Sequence, residues 1–597
     1  MKTKNRWIGL SIFLALILIV VQMPAVADAE EETSGTAFEV ELKPGFEAIA
    51  TSDLGKTPAG VRSNKVGEYK TMDKGVHPTF EFSLTGNRAD DYLGSGGTFI
   101  DDEEQSYYLD VDFRRRVRQS FEYDRFRHWL DHDPLENLNA VYSPADPHVV
   151  TTHTDYDNKK EYQIIHSEIK SNTAVALPFI PGGEIALDYR KEMREGYRQS
   201  LTMSKCTACH VQSHSREIDE KTEDFRPSIK AKFGQAKSPQ LALEYSYLYR
   251  EFQEDGATPT NFYDQAKHPQ SGGEPFGDRV WYQNEPLEYD QVPEMEKQMH
   301  TVKAQGLLPA INSSLSAAYV NSNVENTDYN LETDSDTAFF RVSNTSIRGL
   351  ALDAGFRWME IENDDILLDY DLPTGANPVY TGTYQSYYTD FEWPYNRKSA
   401  LSRDEYRADF NARYTIMPGL SVRAGYEWKK TDREDFLVAD DETETQMDTY
   451  KLGVNGRLGP VRARVRYTYQ DIDHPFANSA ASPQGGACEA YGTQGAVNSF
   501  TGKQYFEFWD TRTEDMSNVP EKRDEIVANV TYPIKYNLSL TGNYRWVDED
   551  TISGEGEVNM PSVSLWYAPN PKLSFALTYL YDDETRESRI CVPVFNG

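Results

Sequence analysis

Residues 206–210 read Cys206-Thr207-Ala208-Cys209-His210 and hold two of the four cysteines in the chain. In a C-x-x-C-H run the two thiols can form thioether bonds to the vinyl groups of haem, and the adjacent histidine can bind the iron as proximal ligand. Competing readings are a structural disulfide, half a zinc site and a redox-active dithiol. Half a zinc site needs two further soft ligands, and the sequence has no second C-x-x-C. A thioredoxin-like dithiol needs a βαβ setting that the flanks do not offer. The expectation is one covalent haem c on Cys206 and Cys209, with His210 on the iron.

The sixth position of that iron needs a ligand. His214 follows His210 too closely for both to grip opposite faces of one haem, and it reads as a solvated loop histidine. The preceding long connection supplies His128, His132, His148 and His153, of which His132 and His153 are the preferred distal candidates. Met203 is a softer alternative that would raise the potential. Cys488 and Cys591 carry no haem signature; a disulfide pinning a loop to the wall and two free thiols are equally open. Acidic strings such as Asp101-Asp102-Glu103-Glu104 and Asp440-Asp441-Glu442 read as solvated loops rather than metal sites. No hydrolase nucleophile motif, phosphate loop or H-E-x-x-H occurs.

Haem c is attached after export, and the N-terminus fits export. Lys2, Lys4 and Arg6 precede an apolar run from Trp7 to Val21, then Pro24-Ala25-Val26-Ala27. Residues 1–27 read as a removable signal peptide, since the run is short for a membrane-spanning helix. The remaining composition is unlike that of a soluble multidomain protein. Only 39% of residues are hydrophobic and the formal net charge is −34, yet 12% are aromatic, with 38 Tyr and 9 Trp. Mean hydropathy is −0.67. Disorder would want few aromatics, and the acidic excess argues against a nucleic-acid partner. A barrel wall with one face in lipid and one in water reconciles the terms.

The elements that must position the motif are strands. Period-2 segments recur from residue 79 onward, punctuated by Gly, Pro and Asn. In Glu405–Tyr414 one parity carries Tyr406, Ala408, Phe410 and Ala412, and the other Arg407, Asp409 and Asn411. The turns Met417-Pro418-Gly419 and Gly459-Pro460 join arms of the roughly 10 residues that a tilted membrane strand needs. The expected fold is all-β: a large antiparallel transmembrane β-barrel of about 20 strands (range 18–24) with long extracellular loops. Short turns are expected near 117–118, 173–183, 233–240, 307–311, 348–351, 416–420, 458–461, 533–537 and 568–572. Long connections are expected over 86–105, 131–160, 200–225, 254–297, 322–336, 363–400, 432–445 and 473–522. Residues 28–78 read as a periplasmic N-terminal arm and 79–597 as the barrel, with both termini periplasmic. The haem loop at 200–225 then lies on the long-loop side, in the upper lumen or at the mouth.

The signal peptide, the barrel of Arg/Tyr-rich hairpins such as Leu352–Glu360 and Val461–Tyr469, and the redox motif together resemble the MtrB/PioB-type porins of outer-membrane porin–cytochrome conduits. The resemblance covers most of residues 79–597 and is one of architecture and hairpin style. It implies an outer-membrane location and a sheath around a multihaem periplasmic cytochrome, exchanging electrons with an extracellular cytochrome or mineral. Members of that family can carry an N-terminal C-x-x-C without a haem histidine, whereas here no cysteine precedes Cys206. The expected function is a conduit porin that adds one haem c of its own to the relay. Two alternatives stand beside it: a passive porin with a structural or sensory haem, and a haem-bearing surface enzyme anchored by its barrel.

Overall fold

The computed structural model describes residues 37–49, 75–88, 90–135, 152–203, 210–235, 238–263, 285–364, 366–368, 395–397, 402–433, 444–473, 519–551 and 554–588. They are almost entirely strand. The first block comprises β1 (Ala37–Ile49), β2 (Gly75–Arg88), β3 (Asp91–Asp101), β4 (Glu104–Phe113), β5 (Val117–Trp129) and the short β6 (Thr152–Asp155). Four long strands follow: β7 (Gln163–Leu177), β8 (Gly183–Met203), β9 (His210–Gln235) and β10 (Ser238–Glu254). A small pair, β11 (Thr260–Tyr263) and β12 (Glu285–Glu288), precedes β13 (Met295–Leu308), β14 (Ser313–Asn326), β15 (Leu331–Asn344) and β16 (Leu350–Asn363). Next come β17 (Ile366–Leu368), β18 (Tyr395–Arg397), β19 (Arg403–Met417), β20 (Leu420–Arg433), β21 (Glu444–Leu458) and β22 (Val461–Asp473). The last block is β23 (Pro520–Lys535), β24 (Leu538–Thr551), β25 (Gly554–Asn570), β26 (Leu573–Leu580) and β27 (Asp583–Ser588).

All but β11, β12, β17 and β18 belong to one 23-stranded sheet. Each long strand pairs antiparallel with the next one in the chain, and β26 and β27 share β25. Only β6 departs from the meander, running parallel to β9. This is the wall of a large antiparallel transmembrane β-barrel. Among the described residues no pairing joins β1 to the last strands.

The wall has two chemically distinct faces because side chains alternate along each strand. On one face Phe340, Phe356, Phe410, Tyr426, Tyr450, Leu452, Val465 and Tyr467 are exposed. They meet across strands in register: Phe340 opposite Phe356, Phe410 opposite Tyr426, and Leu452 opposite Tyr467. Such an apolar, aromatic-rich stripe is what lipid requires. The opposite parity carries ion pairs. Glu427 is bridged by Arg407 at 3.0 Å and Lys451 at 2.7 Å, and Arg545 reaches Glu525 at 3.0 Å. That face lines the polar interior, as the alternation in Glu405–Tyr414 implies.

Turns expected from Gly/Pro chemistry are present. Gly419 (φ 90°) and Gly459 (φ 59°) adopt the left-handed backbone that glycine tolerates at the hairpin turns following β19 and β21. Four expectations need correction. The span 86–105 is not one loop but two tight turns around β3. The span 322–336 is a tight turn too, with β14 ending at Asn326 and β15 starting at Leu331. The arm 28–78 contains β1, paired along its whole length with β2. Finally, β1 starts on the short-turn side while β27, alongside Gly554–Asn559, runs toward the long-connection side. The strand ends therefore do not share one side. The signal-peptide residues 1–27, Cys488 and Cys591 lie outside the described residues.

Candidate functional site

The long-connection expectation at 200–225 is replaced by an extended ribbon. β8 continues to Met203 and β9 resumes at His210, with Met203 opposite Val211. Cys206 and Cys209 lie in the connection, outside the described residues, as does the side chain of His210. The ribbon outruns its neighbours: β7 stops at Gln163, opposite Tyr197, and β10 stops at Glu254, opposite Glu220. A bare two-stranded ribbon of such polar sequence is marginal in water. Here both faces are covered.

The chain between β5 and β7 crosses the face that carries Tyr197, Gln199, Ser213 and Ser215. Gln199 exchanges hydrogen bonds with the Asp133 backbone, donating at 2.8 Å and accepting at 2.9 Å. The Ser215 amide donates to Asp157 at 2.7 Å, and the Lys160 ammonium sits 3.3 Å from the centre of the Tyr197 ring. The crossing chain then supplies β6, which pairs with the first residues of β9: Thr152 opposite His210, His153 opposite Val211. Ser213 is fully buried (0%) and its hydroxyl donates to Asp155 at 3.0 Å.

The opposite face, with Ser200, Thr202, Gln212, His214 and Arg216, is covered by the chain between β10 and β13. Arg216 is 1% exposed, and its guanidinium reaches the Asp290 carbonyl, the Asp290 carboxylate at 3.3 Å and Glu254 at 3.4 Å. Asp290 also takes Arg198 and the Ser200 hydroxyl, each at 2.5 Å. Asn261 on β11 donates to Gln212 at 2.8 Å, and its carbonyl oxygen lies 3.1 Å from His214 Nε2. Burial and electrostatics agree on a tight clamp. Burial pushes the Tyr162 and Tyr289 phenols up to about 12. Burial also raises the Asp157 carboxyl, but hydrogen bonds from Ser215 with Lys160 and His214 nearby outweigh it and hold the group below its ordinary value.

The predicted ligands are thereby placed. His132 is 1% exposed; Nδ1 meets the Lys160 carbonyl at 2.8 Å and Nε2 meets Asp155 at 2.6 Å. Both ring nitrogens are engaged by protein groups and the ring is buried, so neither is open to iron. His153 has a buried Nδ1 without a hydrogen-bond partner, which is the feature in its favour. Yet it sits on the strand next to His210, offset by one residue, and neighbouring strands stand about 4.8 Å apart. A haem cannot fit between them while β6 and β9 stay paired. His214 is not a solvated loop residue: it stacks on Tyr156 at 4.5 Å. His128 lies in β5 opposite Ile164, and His148 is outside the described residues. Arg216, Asp290 and Asn261 went unnoticed in the sequence, because their partners are distant in the chain and no local motif marks them.

Near the end of the ribbon, Leu201 (52%) and Met203 (54%) are exposed on the face that also carries Gln199. The backbone of His210 is fixed as the first residue of β9.

The sequence profile of the MtrB/PioB outer membrane beta-barrel porins matches residues 62–473. The chain belongs to this family. Membership places this porin-type barrel in the outer membrane. No curated protein matches the sequence. Among solved structures, the chain resembles FpvAI in its complex with pyocin S2 (9% identity, TM-score 0.42, 84% of this chain and 61% of that one). It is likewise similar to the copper transporter OprC (10%, TM-score 0.42, 92% and 74%) and the FrpB iron transporter from Neisseria meningitidis (9%, TM-score 0.42, 83% and 73%). The chain thus spans 61% of the FpvAI chain. The barrel wall is established by the strand pairing and the family match.

Proposed function

We propose that this porin is the outer-membrane component of an electron-transfer conduit and carries one haem c, bound covalently through Cys206 and Cys209 with His210 as proximal ligand. The observation that supports the reading is a complete C-x-x-C-H run in the connection between Met203 and His210, the ends of a ribbon clamped on both faces, with Leu201 and Met203 exposed beside it. When bound, the haem supplies a one-electron carrier. This chain's own residues do the positioning: Asp290 and Arg216 hold one face of the ribbon, and Asp155, Asp157 and His132 hold the other.

One haem cannot bridge a hydrocarbon core about 30 Å thick. The barrel therefore sheathes a partner, a multihaem periplasmic c-type cytochrome, and the long-connection side, extracellular by the general rule for such barrels, meets an extracellular cytochrome. Residues 1–27 act as the export signal. The polar, ion-paired interior suits a water-soluble partner surface, and the net charge of −34 favours partners with basic faces. His132 serves the clamp rather than the iron, and the sixth position takes a ligand other than His132 or His153.

The test is purification of the full-length chain from its native membrane, followed by reconstitution into vesicles loaded with an electron acceptor. Co-isolation of a multihaem cytochrome and acceptor reduction by an external donor are expected. A lone barrel that conducts ions but passes no electrons would replace this reading with the passive porin. Turnover of a soluble substrate by the isolated barrel would replace it with the anchored enzyme.

A further inference from the structure

The outward face of β8–β10 carries a sharply bounded apolar band. On β8 it comprises Ile185, Leu187 and Tyr189; on β9 Phe233, Ile229, Pro227 and Phe225; on β10 Leu241, Leu243, Tyr245, Tyr247 and Tyr249. These are cross-strand partners, Tyr189 opposite Phe225 and Phe225 opposite Tyr249, so the band ends on one line of three aromatics. At the next position on the same face Lys191 pairs with Glu223, and Glu251 follows on β10. Beyond that the outward face reads Met193 with Lys221, Glu195 with Asp219, and Tyr197 with Glu217. A lipid-facing wall does not tolerate such a run, because a lysine at mid-depth in hydrocarbon costs about 2–4 kcal/mol and each acid adds a smaller cost of the same sign.

From Glu223 back to His210, fourteen residues of β9 lie past the aromatic line. At about 3.3 Å per residue that is roughly 45 Å of strand. With the tilt of about 40° usual for a membrane barrel, it is roughly 35 Å of height. The clamp of β6, β11 and β12 surrounds only this projecting part. β7 and β10 flank the ribbon as far as Tyr197 and Glu220, and beyond them the clamp's residues cover it.

We propose that the β8–β9 ribbon is a mast. It holds its ends, Met203 and His210, clear of the lipid-spanning wall, so that a redox group on the connection between them exchanges electrons with a protein on the long-connection side and not with a group threaded inside the membrane-spanning lumen. What the mast carries rests on the haem reading above; where the mast stands does not. This narrows the sequence-based expectation of a haem in the upper lumen or at the mouth to a position beyond the wall.

The position is tested without any haem readout. In full-length protein with Cys206, Cys209, Cys488 and Cys591 all replaced by serine, single cysteines are placed as Asp219→Cys on the mast, Asn158→Cys in the chain that clamps it and Ile229→Cys in the band. Intact cells are treated with a maleimide polymer too large to enter the lumen. Label at Asp219→Cys and Asn158→Cys and none at Ile229→Cys is expected, with the reverse order for contact with spin-labelled lipid. Protection of Asn158→Cys from the polymer in intact cells would overturn the proposal. In protein shown to bear covalent haem, viologen radical then gives one electron to the ferric iron, as free reagent or tethered to the same polymer. Equal rates are expected, and failure of the tethered reagent would overturn the proposal. Absence of covalent haem would sink the haem reading and leave the labelling result standing.

Discussion

The β8–β9 ribbon and the β23–β24 hairpin are built from similar residues yet held in opposite ways. In β23–β24 one face meets lipid through Val530, Tyr532, Leu540 and Tyr544, and the other meets water through pairs such as Arg545–Glu525. Its side chains are shared between solvent and neighbouring strands, and no single one is indispensable. Past Tyr197 on β8 and Glu220 on β9, the ribbon has neither lipid nor neighbouring wall strands. There the covering comes from two long connections, and polar groups that would be solvated elsewhere become buried: Arg216, His132, Gln212 and Ser213. A buried charge or polar atom must keep its partner, whereas an exposed one need not. The same chemistry is therefore structural in the mast and incidental in the hairpin.

The largest effect that could break this contrast is at Arg216. Arg216→Ala leaves Asp290 and Glu254 without their buried cation, and removal of one partner of such a pair costs about 3–5 kcal/mol. Hydrogen exchange should show local loss of protection over 198–218 while β24 keeps its own. Uniform loss across the barrel would contradict a separately clamped ribbon. His132→Ala comes next. It strips the Lys160 carbonyl and Asp155 of a buried donor, for roughly 1–3 kcal/mol. In haem-loaded protein the iron's spin state should stay as in the parent for both His132→Ala and His153→Ala. A shift to high spin in either variant would restore that histidine as the distal ligand.

Acid should also divide the two regions. The Asp157 carboxyl is held below its ordinary value in the folded chain. Its stabilisation is complete above the unfolded value of about 3.9 and is lost as pH falls through the lower folded value. Pepsin should therefore nick 156–162 at a higher pH in Ser215→Ala, which releases part of that hold, than in the parent. Identical profiles would remove Asp157 from the clamp. The smallest effect is expected at Arg545→Ala. A half-exposed ion pair contributes under about 1 kcal/mol, and exchange in β24 should barely change.

Legibility followed the same division. The hairpins of the C-terminal half could be read from sequence because their turns carry Gly419 and Gly459 and their faces alternate in lipid style. The ribbon could not. Residues 210–224 are polar on both parities, which suggests a loop when coverage comes from chain segments tens of residues away. The span 322–336 failed for a related reason, since its strand ends also lie past the apolar stripe and carry no alternation. β3 was missed because Gly94, Gly96 and Gly97 look like a linker. In the fold they clear space for Tyr92, Tyr108 and Tyr107, whose ring or hydroxyl atoms lie within 3 Å of where a Cβ would stand. β1 was hidden by Pro44-Gly45, which an edge strand accepts because Pro44 has no amide to leave unpaired. The motif itself was the most legible feature, and its setting the least.

The central claim is that this barrel is itself a haem protein. The most direct measurement is the alkaline pyridine spectrum and intact mass of the purified, denatured chain, made in a cell that matures c-type cytochromes. Parent and Cys206→Ser/Cys209→Ser proteins are compared. One haem c per chain, resistant to denaturation and absent from the double variant, is the expected result. A parent chain of unmodified mass, with both thiols free, would contradict the account.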